Sequence, residues 1–141
     1  MIDAEIATMP ANAIAGVPMS TFKTTVTEDE KAYARSLRLA LEPFRQLRPT
    51  MPMQYLITFL LVVEHEGESV SDYARMADVP QTVMTRHLLD IGDRNRAGED
   101  GFGLVTQERD RKDLRKHHAK VTHFGHAVMN KIMTAMRTIP R

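Results

Sequence analysis

The chain has 141 residues, a length typical of one domain, with 43% hydrophobic and 26% charged residues. It contains no cysteine, which excludes disulfides, thiolate metal sites and thiol catalysis. The formal net charge of +1 does not indicate a partner, and no segment is long and apolar enough to predict a membrane span. The first charged residues are acidic, unlike those of a signal peptide, so we expect a cytoplasmic protein.

Residues 1–26 are predicted to form an extended N-terminal arm ahead of one domain, 27–141. They carry only three charged side chains, include proline and glycine, and show no sustained hydrophobic period. Their apolar side chains either contact a partner subunit or belong to a leader without structure, and the sequence leaves both interpretations open.

The first predicted helix covers 27–46. Thr27 and Glu30 have the spacing of a capping box, in which the hydroxyl and the carboxylate satisfy each other's backbone N–H groups. Pro43 lacks a backbone donor, so we expect the helix to end or kink near Glu42.

Three more helices are predicted before the first strand. The second begins near Thr50 and ends before Gly67. Ser71 is expected to cap a short third helix over 72–77, and after a turn a fourth runs from Gln81 to Ile91.

Two strands and a last helix complete the predicted order. The strands are expected at 104–108 and 115–122, joined by a charged tip over 109–114. Thr122 is expected to cap a final helix over 123–137.

The third and fourth helices, joined by a tight turn, are typical of a helix-turn-helix. A small residue at the crossing and apolar residues around the turn would bury the inner face: Ala74, Val79, Met84 and Leu88. The outward positions of the fourth helix would then be free to enter a major groove: Gln81, Thr82, Thr85 and Arg86. Arg86 suits guanine or phosphate, Gln81 suits adenine, and the threonines suit phosphate or a thymine methyl. Each could equally be an ordinary exposed helix residue.

The predicted strand pair carries concentrated positive charge. Between residues 109 and 120 there are two acidic residues, Asp110 and Asp113, and six basic ones: Arg109, Arg111, Lys112, Arg115, Lys116 and Lys120. Such a cluster attracts a phosphate backbone, although a solvated hairpin tip is the simpler interpretation.

These segments resemble the MarR family of winged-helix regulators over residues 50 to about 135. The similar stretches are Thr50 to Gln54, Met84 to Leu89, Gly103-Leu104-Val105, the wing-tip pattern Asp-x-x-Asp-x-Arg from Asp110 to Arg115, and Val121-Thr122 followed by Gly125. The resemblance implies that Arg115 reaches a minor groove and that Asp113 orients it. A local salt bridge that closes the hairpin is the alternative.

Two departures from the family pattern affect this expectation. Residues 92–102 form an insertion of roughly eight residues between the fourth helix and the wing, and its Arg94 and Arg96 either contact DNA or are solvated. The chain also ends soon after one helix, so a dimer built from helices 27–46 and 123–137 would have a smaller interface than usual.

The sequence gives less support to a metal site, to catalysis or to an effector pocket. His117 and His118 would point to opposite faces of a strand, and His123 and His126 form at most a pair of ligands, so no metal site or cofactor is predicted. We find no nucleophile–base pair and expect no enzyme. Small aromatic effectors, which the resemblance implies, would contact Tyr33, Phe44, Tyr55 and Phe59, but these residues fit a core better.

The sequence therefore predicts a mainly α (α+β) winged helix-turn-helix with a two- or three-stranded wing. The predicted function is a dimeric, sequence-specific DNA-binding transcriptional regulator, most simply a repressor, with double-stranded DNA as its partner. Its fourth helix, Gln81–Ile91, would enter the major groove, and its wing, Arg109–Arg115, would contact the minor groove. The alternative is a winged-helix assembly module of a plasmid or phage complex.

Overall fold

A computed structural model describes residues 25–93 and 100–137 of the chain. The predicted order of four helices, two strands and a helix is confirmed: α1 Glu28–Leu47, α2 Met53–Glu64, α3 Val70–Ala77, α4 Gln81–Asp90, β1 Val105–Arg109, β2 His117–Val121 and α5 His123–Arg137. Most of the predicted arm, together with Arg94 and Arg96 of the insertion, lies outside the described residues.

Helix α1 begins as predicted but ends later. The Glu30 N–H donates to Thr27 Oγ1 at 3.1 Å, and the Thr27 N–H donates to Glu30 Oε2 at 2.6 Å, which confirms the capping box. Of the two expectations at Pro43, an end near Glu42 is not found, since the helix continues through Pro43 to Leu47, one residue beyond the predicted range of 27–46. Pro43 and Phe44 are buried, so packing of the last turns offsets the hydrogen bond that proline removes.

Helix α3 begins two residues before the predicted start, because Ser69 and not Ser71 is its cap. Asp72 stands three residues after Ser69, and each side chain accepts a hydrogen bond from the other's backbone N–H, at 3.3 and 3.2 Å. The residue three positions after Ser71 is Ala74, which offers no carboxylate. The complete capping box therefore determines the start.

Helix α2 ends at Glu64, two residues short of the prediction, and Gly67 has a φ of 90°. The N–H of Gly67 donates to the carbonyl of Ala119 at 2.9 Å, which joins this turn to β2. A positive φ of this kind favours glycine.

One core joins the helices to the wing. Its fully buried hydrophobic members come from α2, α3, α4, the residue after α4, and the residues that enter and begin β1: Phe59, Val62, Tyr73, Met84, Leu88, Ile91, Leu104 and Val105. The rings of Phe44 and Phe59 meet edge to face at 5.9 Å, which confirms the core interpretation for these two aromatics. The core interpretation is wrong for Tyr33, which is 42% exposed on α1, whereas Tyr55 is half-buried.

The wing is a two-stranded antiparallel sheet in which Val105 pairs with Val121 and Arg109 pairs with His117. A further bridge joins Ser69 to His118, so α3's cap lies at the sheet edge. Strand β2 is shorter than predicted because Arg115 and Lys116 belong to the turn, where the Lys116 N–H donates to the Asp113 carbonyl at 3.0 Å.

Helix α5 starts behind Thr122 as predicted, and Thr122 Oγ1 accepts from the Gly125 N–H at 3.0 Å. Gly125 lies so close to the main-chain carbonyl of Leu104 that a side chain would collide with it. This contact holds α5 against the wing, while the same helix packs along α1. No helix within 25–93 and 100–137 is long and apolar enough to cross a membrane.

Candidate nucleic-acid interface

Helices α3 and α4 form the predicted helix-turn-helix. Asp78 ends α3 in the left-handed conformation with a φ of 54°, and the Val79 N–H donates back to the Ala74 carbonyl at 3.0 Å. Met84 and Leu88 are fully buried, so the inner face of α4 packs as the sequence predicted.

The outward face of α4 carries the predicted polar residues. Gln81, Thr82 and Arg86 are exposed, and Thr85 is half-buried. The Thr85 hydroxyl donates to the Gln81 carbonyl at 2.9 Å, so its hydrogen is already engaged. Thr85 can therefore offer its methyl group or accept a hydrogen bond, but it is a poor donor to phosphate.

The wing tip is shaped by two aspartates. Asp110 accepts the N–H of Lys112 at 2.8 Å, and Asp113 accepts the N–H of Arg115 at 3.1 Å. The predicted contact between Asp113 and Arg115 is present, with Nε 3.5 Å from Oδ1. It arises in a turn, where an Asp side chain engages the backbone two residues on.

One of the wing's cations, Lys120, and one histidine, His118, are paired with carboxylates within the wing. Lys120 Nζ lies 3.2 Å from Glu108 Oε2, and His118 Nε2 lies 3.1 Å from Asp110 Oδ2. The Lys112 N–H and the bond to His118 hold the pKa of Asp110 below its usual range. The exposed cations of the tip, such as Arg111, Lys112 and Arg115, are better placed to attract phosphates than Lys120 is.

A cleft of about 640 Å³ lies between α4, the start of α3 and the wing. It brings four of the predicted residues together: Gln81, Thr85, Arg115 and Lys116. It also includes polar residues that the sequence reasoning missed: Ser69, Ser71, Gln107 and His117. Gln107 and His117 could have been found from the strand alternation, but the place of the serines depends on how α3 packs on the wing. Thr82, Arg86, Arg109, Arg111 and Lys112 do not line this cleft.

The insertion leaves the wing regular because its two ends are joined. The Gly103 N–H donates to the Gly92 carbonyl at 2.9 Å, and the Leu104 N–H donates to the Ile91 carbonyl at 2.8 Å. Thr106 Oγ1 on β1 lies 3.1 Å from Asp93 Oδ2. The described residues on either side of 94–99 therefore lie next to each other, at the end of α4.

Two other kinds of site were considered from the sequence, a metal site and a pocket for an aromatic effector. In the part of the chain that the structure describes, no group of three or more His, Asp and Glu residues is arranged to hold a metal ion. A recess of about 240 Å³ between α1 and α2 contains Phe44 but none of Tyr33, Tyr55 and Phe59, so the four aromatics do not line one common pocket there.

No family model and no curated protein matches the chain. Solved structures do match. A MarR-like transcriptional regulator from Thermotoga maritima has a TM-score of 0.56 at 16% identity, over 93% of this chain and 78% of that one. A mutant of MepR from S. aureus, bound to an oligodeoxyribonucleotide, has a TM-score of 0.57 at 13% identity, over 76% of this chain and 69% of that one.

The chain has a MarR-like winged-helix fold. A MarR regulator from Methanosarcina mazei, at 14% identity and a TM-score of 0.53, covers 76% of this chain and has the same fold. The fold class and the MarR resemblance predicted from the sequence are thereby confirmed. In this fold the helix-turn-helix and the wing bound one cleft, and the cleft, the exposed face of α4 and the wing tip together form the candidate nucleic-acid interface.

Proposed function

We propose that this chain is a DNA-binding transcriptional regulator that contacts duplex DNA through the outward face of α4 and the wing. The observation that carries the proposal is the exposure of Gln81, Thr82 and Arg86 on a helix whose opposite side is fully buried. A helix of this kind fits into a major groove and presents its polar side chains to the base edges. The solved structure of the MepR mutant, which has the same fold, is bound to an oligodeoxyribonucleotide and supports this choice.

The wing supplies the second contact in this proposal. The Arg115 side chain is 94% exposed and lies beside Asp113 at the hairpin tip. An extended guanidinium suits a narrow minor groove, where it responds to groove width more than to base identity. Arg86 would contact bases or phosphate, and Lys116 would contact the backbone, which makes binding both sequence-dependent and salt-dependent.

The regulator is proposed to act as a homodimer. Tyr33, Leu37 and Leu41 form an apolar stripe on α1, spaced four residues apart and 42%, 61% and 41% exposed. Such a stripe is typical of a helix that packs against another helix. A symmetric pair would present two copies of α4 to half-sites about one turn of DNA apart. Occupying a promoter in this way is the simplest route to repression, and the proposal includes no enzymatic step.

Salt dependence of duplex binding tests the proposed function and separates it from the assembly-module alternative. Fluorescence anisotropy with labelled duplexes, from about 50 to 200 mM salt, should show affinity falling steeply because phosphate contacts release counterions. Binding that is absent at low salt would reject the DNA-binding function and favour a protein partner.

A further inference from the structure

Tyr55 contacts two elements that the DNA-binding surface depends on, α4 and the segment that enters β1. It lies on α2, and its hydroxyl donates to Asp90 Oδ2, at the end of α4, at 2.5 Å. Its ring meets the His87 ring of α4 edge to face at 5.4 Å and the Phe102 ring, just before β1, at 6.3 Å. No other described aromatic ring contacts two other rings in this way.

The carboxylate of Asp90 is unfavourably placed for the helix that carries it. An acidic side chain in the last turn lies near the negative end of the helix dipole. A hydrogen bond with a charged partner is stronger than one between two neutral groups. The bond from the half-buried Tyr55 hydroxyl to this carboxylate therefore offsets that cost. The main chain of Asp90 is held as well, because its carbonyl accepts the Phe102 N–H at 3.1 Å. The end of α4 is thus joined to α2 through a side chain and to the wing through the backbone.

The surroundings keep the side chains of Tyr55 and His87 neutral and packed. Burial, followed by the bond to Asp90, raises the pKa of Tyr55, so the hydroxyl remains a donor at physiological pH. Burial lowers the pKa of His87, and its Nδ1 is buried without a hydrogen-bond partner among the described residues. The neutral imidazole therefore packs on Tyr55 as an aromatic ring.

We propose that Tyr55 is a positioning residue of the DNA-binding surface, whose hydroxyl fixes the orientation of α4 relative to the wing through Asp90. The inference rests on the proposed function. Arg86 directly precedes His87 on α4. A tilt of the helix end would therefore displace Arg86 relative to Arg115 on the wing. A surface that must engage two grooves at once loses affinity when its two parts lose their relative orientation.

Three substitutions test the role of the hydroxyl in DNA binding. Tyr55→Phe keeps the ring contacts and removes the donor, and we expect affinity for a selected duplex to fall on the order of five-fold or more. The salt slope should not change, because no phosphate contact is lost. Asp90→Asn keeps an acceptor and should bind like the wild type, whereas Asp90→Ala should behave like Tyr55→Phe. The control, Gln54→Ala, changes an exposed, uncharged side chain on the same helix, outside the DNA-binding surface and the apolar stripe of α1, and should have no effect.

Amide hydrogen exchange tests the positioning separately from DNA. In the free Tyr55→Phe protein, the amides of Phe102 and Leu104 and those at the end of α4 should exchange faster, while amides of α1 and α5 keep their wild-type rates. Uniform acceleration throughout the chain, or no acceleration at Phe102 and Leu104, would overturn the positioning role. If the wild type binds no duplex, the proposed function fails, and the exchange pattern still decides whether Tyr55 fixes α4.

Discussion

The backbone N–H of Arg115 donates to Asp113 Oδ1 at 3.1 Å, and the Arg115 Nε lies 3.5 Å from the same oxygen. One carboxylate oxygen therefore contacts both the backbone of the turn and the Nε atom of the Arg115 side chain. The Arg115 side chain is 94% exposed, and an ion pair this exposed adds little to stability. We therefore propose that its effect is on the direction in which the arginine leaves the wing.

Substitutions of Asp113 should distinguish its effect on the direction of the Arg115 side chain from the effect of its negative charge. Asp113→Ala removes the acceptor and the charge, so we expect overall affinity to hold or rise while the preference for duplexes with a narrow A-tract groove falls several-fold. Asp113→Asn removes the charge but keeps an acceptor for the Arg115 N–H, so the preference should persist. Competition binding with A-tract and G·C-rich duplexes measures both, and equal preference in all three proteins would contradict the orienting role.

Arg86 and Lys116 should differ in what they contribute. Arg86→Ala is expected to cost about 1–3 kcal/mol against the best duplex and to reduce discrimination between sequences. Lys116→Ala should weaken binding to all duplexes about equally and lower the salt slope by about 1. Anisotropy titrations on two duplexes at several salt concentrations test this difference. A uniform loss for Arg86→Ala would place that residue on the backbone.

The apolar stripe on α1 predicts the effect of a charge at its centre. Leu37 is 61% exposed, and Leu37→Asp should convert a dimer to a monomer because an unpaired carboxylate would be buried at the interface. The matched control is Arg35→Gln, which makes the same change in net charge at an exposed residue outside the stripe. Light scattering at micromolar concentration reports the mass, and a wild-type mass of one subunit would refute the dimer.

His87 should make stability depend on pH in mildly acidic solution. Burial lowers its pKa in the folded protein, so below about pH 6.5 the unfolded chain binds a proton that the folded chain does not. Stability is therefore complete above that pH and falls as the pH drops toward the folded pKa. The lowered pKa values of Glu42, Asp72 and Asp110 act in a more acidic window, near and below pH 4.

Urea denaturation between pH 7 and pH 5 measures this dependence. His87→Phe keeps a ring against Tyr55 and removes the titration, so its stability should vary less over that range. A variant that loses stability as steeply as the wild type would show that another group is responsible.

Local patterns predicted more of the fold than of the site. The capping box of Thr27 and Glu30 was sufficient to start α1 because both partners lie within one turn. The sequence predicted that α1 would end or kink near Pro43. The helix continues to Leu47 because Pro43 is packed in the core, and such packing has no local sequence pattern. Within the site, the exposure of Gln81 and Arg86 followed from helical periodicity, whereas the contact between Tyr55 and Asp90 joins residues 35 apart in the chain and has no local pattern.

The central claim is that the outward face of α4 and the wing together contact duplex DNA. Hydrogen exchange of the whole chain, with and without a duplex selected from a random pool, tests it most directly. The account predicts slower exchange at residues 81–86 and 109–117, with α1 unchanged. Failure to enrich any duplex, or slower exchange on α1 with none on α4 and the wing, would contradict it.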